Sequence, residues 1–152
     1  MSFRIIFFLV LSLVIMSCEK EEIKPSDPLP TVSHVPAISL GTMATTYNQF
    51  DDVVLYVNYT DGNGDLGFDD ADTPVVYVTD NRNDIEFNFH VQPLSPPGVE
   101  IAIQGQLQVV IENIILLSQS NSSETVTFSV KIIDRAGNWS NLVTSPVLTI
   151  NN

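Results

Sequence analysis

Thr125-Val126-Thr127-Phe128-Ser129-Val130-Lys131-Ile132 alternates without a break. Val126, Phe128, Val130 and Ile132 fall on one side of an extended chain, and Thr127, Ser129 and Lys131 on the other. Successive side chains of a strand point to opposite faces, so the stretch reads as a strand with one face in a core and one in water. β-branched and aromatic residues, which suit a pleated and half-buried surface, dominate it. The same pattern recurs outward in both directions. Candidate strands are 35–41, 51–59, 75–80, 85–92, 99–112, 125–134 and 142–150. The second of them sets Val53, Leu55 and Val57 on one face. Turn-forming residues separate the candidates, as at Asp61-Gly62-Asn63-Gly64, Asn81-Arg82-Asn83-Asp84, Ser95-Pro96-Pro97-Gly98 and Gln119-Ser120-Asn121-Ser122. No window sustains a helical period. Residues 105–118 read either as one long strand or as a strand running into a short helix. About seven strands with frequent turns predict an all-β fold, a two-sheet sandwich.

The strand that begins at Thr125 leads into Ile133-Asp134-Arg135-Ala136-Gly137-Asn138-Trp139-Ser140-Asn141. This ending resembles the last hairpin of many bacterial immunoglobulin-like domains, in which a strand closes on Asp-x-Ala-Gly-Asn and turns into the final strand. The resemblance implies an immunoglobulin-like sandwich of about seven antiparallel strands over residues 37–152. It implies no activity. Gly137 and Asn138 suit the positive φ that tight turns need.

The chemistry of the chain is concentrated in Asp61-Gly62-Asn63-Gly64-Asp65-Leu66-Gly67-Phe68-Asp69-Asp70-Ala71-Asp72. Counting from Asp61, oxygen-bearing side chains occupy positions 1, 3, 5, 9 and 12, which are Asp61, Asn63, Asp65, Asp69 and Asp72. Gly67, at position 7, offers a carbonyl. Calcium takes about six to eight hard oxygens, and alternate residues of a glycine-rich loop can aim them inward. One calcium ion on Asp61, Asn63, Asp65, Gly67, Asp69 and Asp72 is therefore expected, with Asp70 turned to solvent. The competing reading is an acidic turn that binds nothing. The loop resembles the calcium loops of EF-hands, dockerins and thrombospondin type 3 repeats. It departs from them at Leu66, where glycine is usual, and at Asp72, which is shorter than the bidentate Glu of an EF-hand. Together with the Asp-Arg-Ala-Gly-Asn ending, the loop also resembles a group of small Bacteroidota lipoproteins of uncharacterised function.

The amino-terminal residues carry an address. Arg4 precedes a twelve-residue apolar run, Ile5 to Met16, followed by Ser17 and Cys18. The run is shorter than the roughly 20 apolar residues of a spanning helix and has the layout of a signal peptide, residues 1–17. Ile15-Met16-Ser17-Cys18 resembles a bacterial lipobox, which implies lipid attachment at Cys18. Lys20, Glu21 and Glu22 resemble the export signal of Bacteroidota surface lipoproteins. That implies an outer-membrane protein, anchored by lipid and facing the cell exterior. Residues 18–36 then form a tether with Pro25, Pro28, Pro30 and Pro36, semi-rigid and extended where polyproline-like.

Charge and composition exclude several functions. A formal charge of −12 opposes binding to a phosphate backbone, so no nucleic-acid partner is expected. Half of the 18 acidic residues lie between Asp51 and Asp84, with Arg82 as the one base among them. Cys18 is the only cysteine, so no intrachain disulfide can form. His34 and His90 have no second His or Cys nearby, and no serine sits in a Gly-x-Ser-x-Gly elbow. The sequence points to a non-enzymatic, membrane-anchored lipoprotein acting as a calcium-stabilised interaction or accessory module, with a protein or glycan partner. The alternative is a carbohydrate-binding component of an outer-membrane glycan-uptake system. Its platform would be Trp139 with Tyr47, Tyr56, Tyr59 and Tyr77.

Overall fold

The computed structural model describes residues 32–152. The signal peptide, Cys18, Lys20, Glu21, Glu22 and the tether up to residue 31 lie outside the described residues. Ten strands follow in order: β1 (Ala37–Leu40), β2 (Thr46–Asn48), β3 (Val53–Asp61), β4 (Val76–Asp80), β5 (Ile85–Phe89), β6 (Ile103–Ile111), β7 (Ser123–Val126), β8 (Phe128–Ile132), β9 (Val143–Thr144) and β10 (Leu148–Asn151). No helix occurs among them.

The strands build two layers. In the first, β3 lies between β1 and β6, antiparallel to both. In the second, β4 lies between β5 and β8, and β8 pairs with β9. β7 and β10 continue this layer and pair with each other, while β2 adds to β10 as a parallel edge. The segments containing β7–β8 and β9–β10 thus run side by side through two ladders. Ser129 faces Thr144 in one ladder and Val126 faces Leu148 in the other. Three steps along the first segment match four along the second, which is the signature of a one-residue bulge. Pro146, which has no N–H to give, sits in the gap. Ser145 bridges it: its N–H donates to the Phe128 carbonyl at 2.8 Å, and its Oγ accepts from the Phe128 N–H at 2.9 Å.

The alternation read from the sequence sets the core. Val53, Leu55, Val57, Phe128, Val130 and Ile132 are fully buried. With Ile38, Val109 and Ile111 from the first layer and Val76, Val78, Leu148 and Ile150 from the second, they form one cluster. The protein is an all-β sandwich, and its seven segments are those the sequence marks. The last two are each interrupted by the bulge, and β2 is an addition. β2 is short and mostly polar, with Tyr47 alone packing toward the core, so its alternation is invisible in sequence.

Of the two readings for residues 105–118, the helix does not form. β6 ends at Ile111, and Asn113 turns the chain with φ of 53°. Beyond it Ile114 and Leu116 are buried, whereas Ile115 and Leu117 are exposed. The N–H groups of Leu117 and Ser118 donate to Glu124 at 2.8 Å. These bonds hold Glu124 below the usual carboxylate range.

Candidate metal centre

Asp61 is the last residue of β3 and keeps the phase of Val53, Leu55 and Val57. Its side chain therefore enters the sandwich with theirs, and it is 0% exposed. A carboxylate in that setting is costly unless it is paired or binds a metal. Neither of its oxygens has a hydrogen-bond partner, and the same holds for Oδ1 of Asn63 and Oδ1 of Asp65. These four oxygens are all the buried side-chain acceptors left unpartnered among the described residues. All belong to the first five residues of the acidic loop. Burial raises the Asp61 pKa above its ordinary value; the neighbouring Asp65 charge adds to the rise, and Asp134 adds less. The N–H groups of Asn63 and Asp65 lie near enough to favour the anion, yet neither makes a well-formed hydrogen bond with it.

The loop's backbone is fastened outward, which leaves the side chains to face inward. The carbonyl of Asn63 accepts from Ile101 N at 3.3 Å, and that of Leu66 from Leu94 N at 3.1 Å. The Gly64 carbonyl accepts from Ser95 Oγ. The Asp65 carbonyl accepts from Arg135 N at 3.1 Å, and the Gly67 carbonyl from Arg135 Nη1 at 3.1 Å. Gly64 and Gly67 have φ of 72° and 92°. A Cβ at either would meet a carbonyl oxygen, of Ile101 at 2.4 Å or of Gln92 at 2.2 Å, so no other residue fits. Leu66, the departure from the calcium-loop pattern, is 1% exposed and plugs the loop into the core. At the other end of the loop, the N–H of Gly62 donates to the Ser33 carbonyl at 2.8 Å. The end of the tether is therefore docked beside the same loop.

The second half of the loop is placed differently. Asp69, Asp70 and Asp72 are exposed. Asp70 closes its own turn, accepting from Asp72 N at 3.1 Å and from Thr73 Oγ1 at 3.0 Å. Gly67, expected to offer its carbonyl to an ion, directs it to Arg135. The structure thus gathers Asp61, Asn63 and Asp65 and leaves Asp69 and Asp72 at the surface. No three Asp, Glu, His or Cys side chains among the described residues close on a common point. The unpartnered acceptors belong to two carboxylates and one amide.

Arg82 does not neutralise this loop. Its guanidinium is bound to Asp80 at 2.7 Å and Glu124 at 3.3 Å, the two ion pairs among the described residues. Asp80 is itself 2% exposed and ends β4 on the inward phase. The two strand-end aspartates are therefore opposites: Asp80 is buried with a base, Asp61 without one.

The ending that resembles an immunoglobulin hairpin is a neighbour of the acidic loop, joined to it by the bond from Arg135 N to the Asp65 carbonyl. Asp134 continues the inward phase of Phe128, Val130 and Ile132 and is 1% exposed. That phase was the signal available in the sequence. Its Oδ1 accepts from Asn138 N at 2.7 Å, and its Oδ2 from Asn138 Nδ2 at 2.9 Å.

The aromatic residues are not laid out in a row. Tyr47 and Tyr59 pack at the margin of the core. Trp139 is exposed and meets Tyr77 edge to face, with ring centroids 4.9 Å apart. Lys131 Nζ lies 4.4 Å from the Trp139 ring centroid, so the ring face a sugar would stack on carries an ammonium group.

Comparison of the chain with protein-family profiles, with curated proteins and with solved structures yields no match.

Proposed function

We propose that this protein is a non-enzymatic, lipid-anchored module displayed at the outer surface of an outer membrane, whose sandwich is braced by one calcium ion. Its role is to hold an interaction surface away from the membrane on the proline-rich tether. The observation that carries the calcium reading is the set of unpartnered buried oxygens on Asp61, Asn63 and Asp65. Hard, anionic and amide oxygens without hydrogen-bond donors suit a hard cation. The fold has no disulfide to draw on, since Cys18 is the only cysteine. The glycan-binding alternative draws no support from the aromatic geometry, because Trp139 and Tyr77 stand edge to face and Lys131 covers the indole.

Two measurements test this reading. Thermal unfolding in calcium, in chelator and in magnesium addresses the brace. An ion that binds only the native state adds about 1.4 kcal/mol at ten times its Kd, a rise on the order of 3–8 °C for a domain of this size. Magnesium is expected to do less, because it demands tighter octahedral geometry. A melting temperature indifferent to 10 mM calcium (about ten times the Kd of a weak extracellular site) favours the plain acidic turn. Cys18→Ala addresses the anchor. It is expected to abolish incorporation of a fatty-acid probe and leave the precursor uncut, and unchanged labelling removes the lipoprotein reading.

A further inference from the structure

We infer that the outer edge of β6 is a self-association surface, on which a second copy of this chain pairs antiparallel about a two-fold axis. The inference stands apart from the calcium and anchor readings. β6 ends the first layer, with β3 on one side and no strand on the other among the described residues. The Tyr56 carbonyl accepts from Gly41 N at 2.7 Å, on the β1 side of β3. Backbone groups alternate sides along an antiparallel strand, so Val53, Leu55, Val57, Tyr59 and Asp61 direct theirs to β6. Their partners there are Ile111, Val109, Leu107, Gly105 and Ile103. The N–H and C=O groups of Gln104, Gln106, Gln108 and Val110 therefore point outward. An open row of this kind is a template for another strand.

The other strand edges are short, charged or capped. β1 turns the N–H and C=O of Ile38 outward, and the Asn141 side chain bonds both, at 2.9 Å each. β5 bears Glu86, and β2, β7 and β9 are two to four residues long. β6 is nine residues long and has neither a charge nor a proline. Charges stop at Glu100 and resume at Glu112. That gap selects a second copy as the occupant. Chains of formal charge −12 repel one another, and along residues 101–111 they meet without like charges. An antiparallel edge is also self-complementary about a two-fold axis. Centred on Leu107, the pairing sets Gln106 against the partner's Gln108 and Ile103 against the partner's Ile111. It sets Glu112 against the partner's Ala102, so no acid faces an acid. Ile103 and Leu107, which are only partly buried against the core, are covered by it. The chain's own tether is a poor occupant, because Pro25, Pro28 and Pro30 have no N–H for a ladder.

The test is sedimentation velocity across a concentration series. The parent chain is expressed without residues 1–17 and with Cys18→Ala, so that neither lipid nor a disulfide joins copies. It is expected to show a monomer–dimer equilibrium. A parent that stays monomeric up to about 1 mM overturns the inference. So does one that grows past the dimer, since a two-fold pairing closes on itself. Gln106 and Gln108 are exposed, so charges there leave the fold in place. Gln106→Glu with Gln108→Glu sets acid directly opposite acid at two places and is expected to weaken the dimer about tenfold. Gln106→Lys with Gln108→Glu sets opposite charges at the same places and is expected to associate within about twofold of the parent, or more tightly. Equal association by all three proteins, or equal losses in both variants, overturns the pairing. Hydrogen exchange on the parent needs no variant to fold. The amides of Gln104, Gln106, Gln108 and Val110 are expected to be protected in the dimer and to exchange on dilution to monomer. Those of Leu107 and Val109 stay protected by β3 throughout. Four amides that exchange freely in the dimer place the contact elsewhere. Protection that persists in the monomer gives the edge to the chain's own tether, and either result overturns the inference.

Discussion

Replacing Phe128 with Ala is expected to cost about 3–5 kcal/mol, the range for truncating a fully buried aromatic. Phe128 is among the largest of the side chains buried completely. It also stands where the second layer changes register, with Ser145 bonded to both its N–H and its carbonyl. The cavity left by the ring would open between the two layers, where Phe128 is pinned on one side by Ser145 and on the other by its pairing with Asp80 of β4. A backbone held on both sides has little means to collapse into the space, which places the cost toward the upper part of the range. Urea unfolding of the wild type and the variant measures it, with the midpoint falling and the slope unchanged. A loss below about 1 kcal/mol would mean that the ring is not in the core and that the strand faces have been assigned the wrong way round.

The faces of the strands were legible because alternation is local. Val53 to Val57 and Phe128 to Ile132 need no partner to reveal which side is apolar. The bulge was not legible, since it is a property of two ladders: nothing between Ser123 and Ile132 announces that Ser129 and Val126 meet partners four residues apart. Pro146 hints at it only after the pairing is known. The acidic loop shows the same limit. Its ligand spacing presupposes a chain coiling around one point. Leu66 is drawn into the core instead, and the N–H of Phe68 is captured by the Val91 carbonyl at 2.9 Å. The chain therefore leaves the site after Gly67 and carries Asp69 and Asp72 to the surface. Asp134 lay in plain view as the continuation of an alternating strand. Its nearness to Asp61 depends on how two sheets stack, which no spacing within either strand encodes.

Asp61→Asn is expected to raise the melting temperature in chelator and to abolish the rise that calcium gives the wild type. Without an ion, Asp61 is a buried carboxylate with no hydrogen-bond donor, facing Asp65 and with Asp134 close by. Asparagine removes the charge and adds two donors. Those donors meet acceptors that lack them, Oδ1 of Asn63 and Oδ1 of Asp65. Relief of unsatisfied buried groups is worth about 1–3 kcal/mol, or roughly 2–17 °C in a domain of this size. In millimolar calcium the order reverses. The wild type gains the binding term, while the variant has lost the central ligand and gains nothing. One substitution thus separates the two explanations of the acidic loop. A residue that merely builds a turn has no reason to destabilise the apo protein, and its replacement leaves the ranking of the two proteins the same with and without calcium. A metal ligand that is held inside at a cost makes the two melting curves change places when the ion is added.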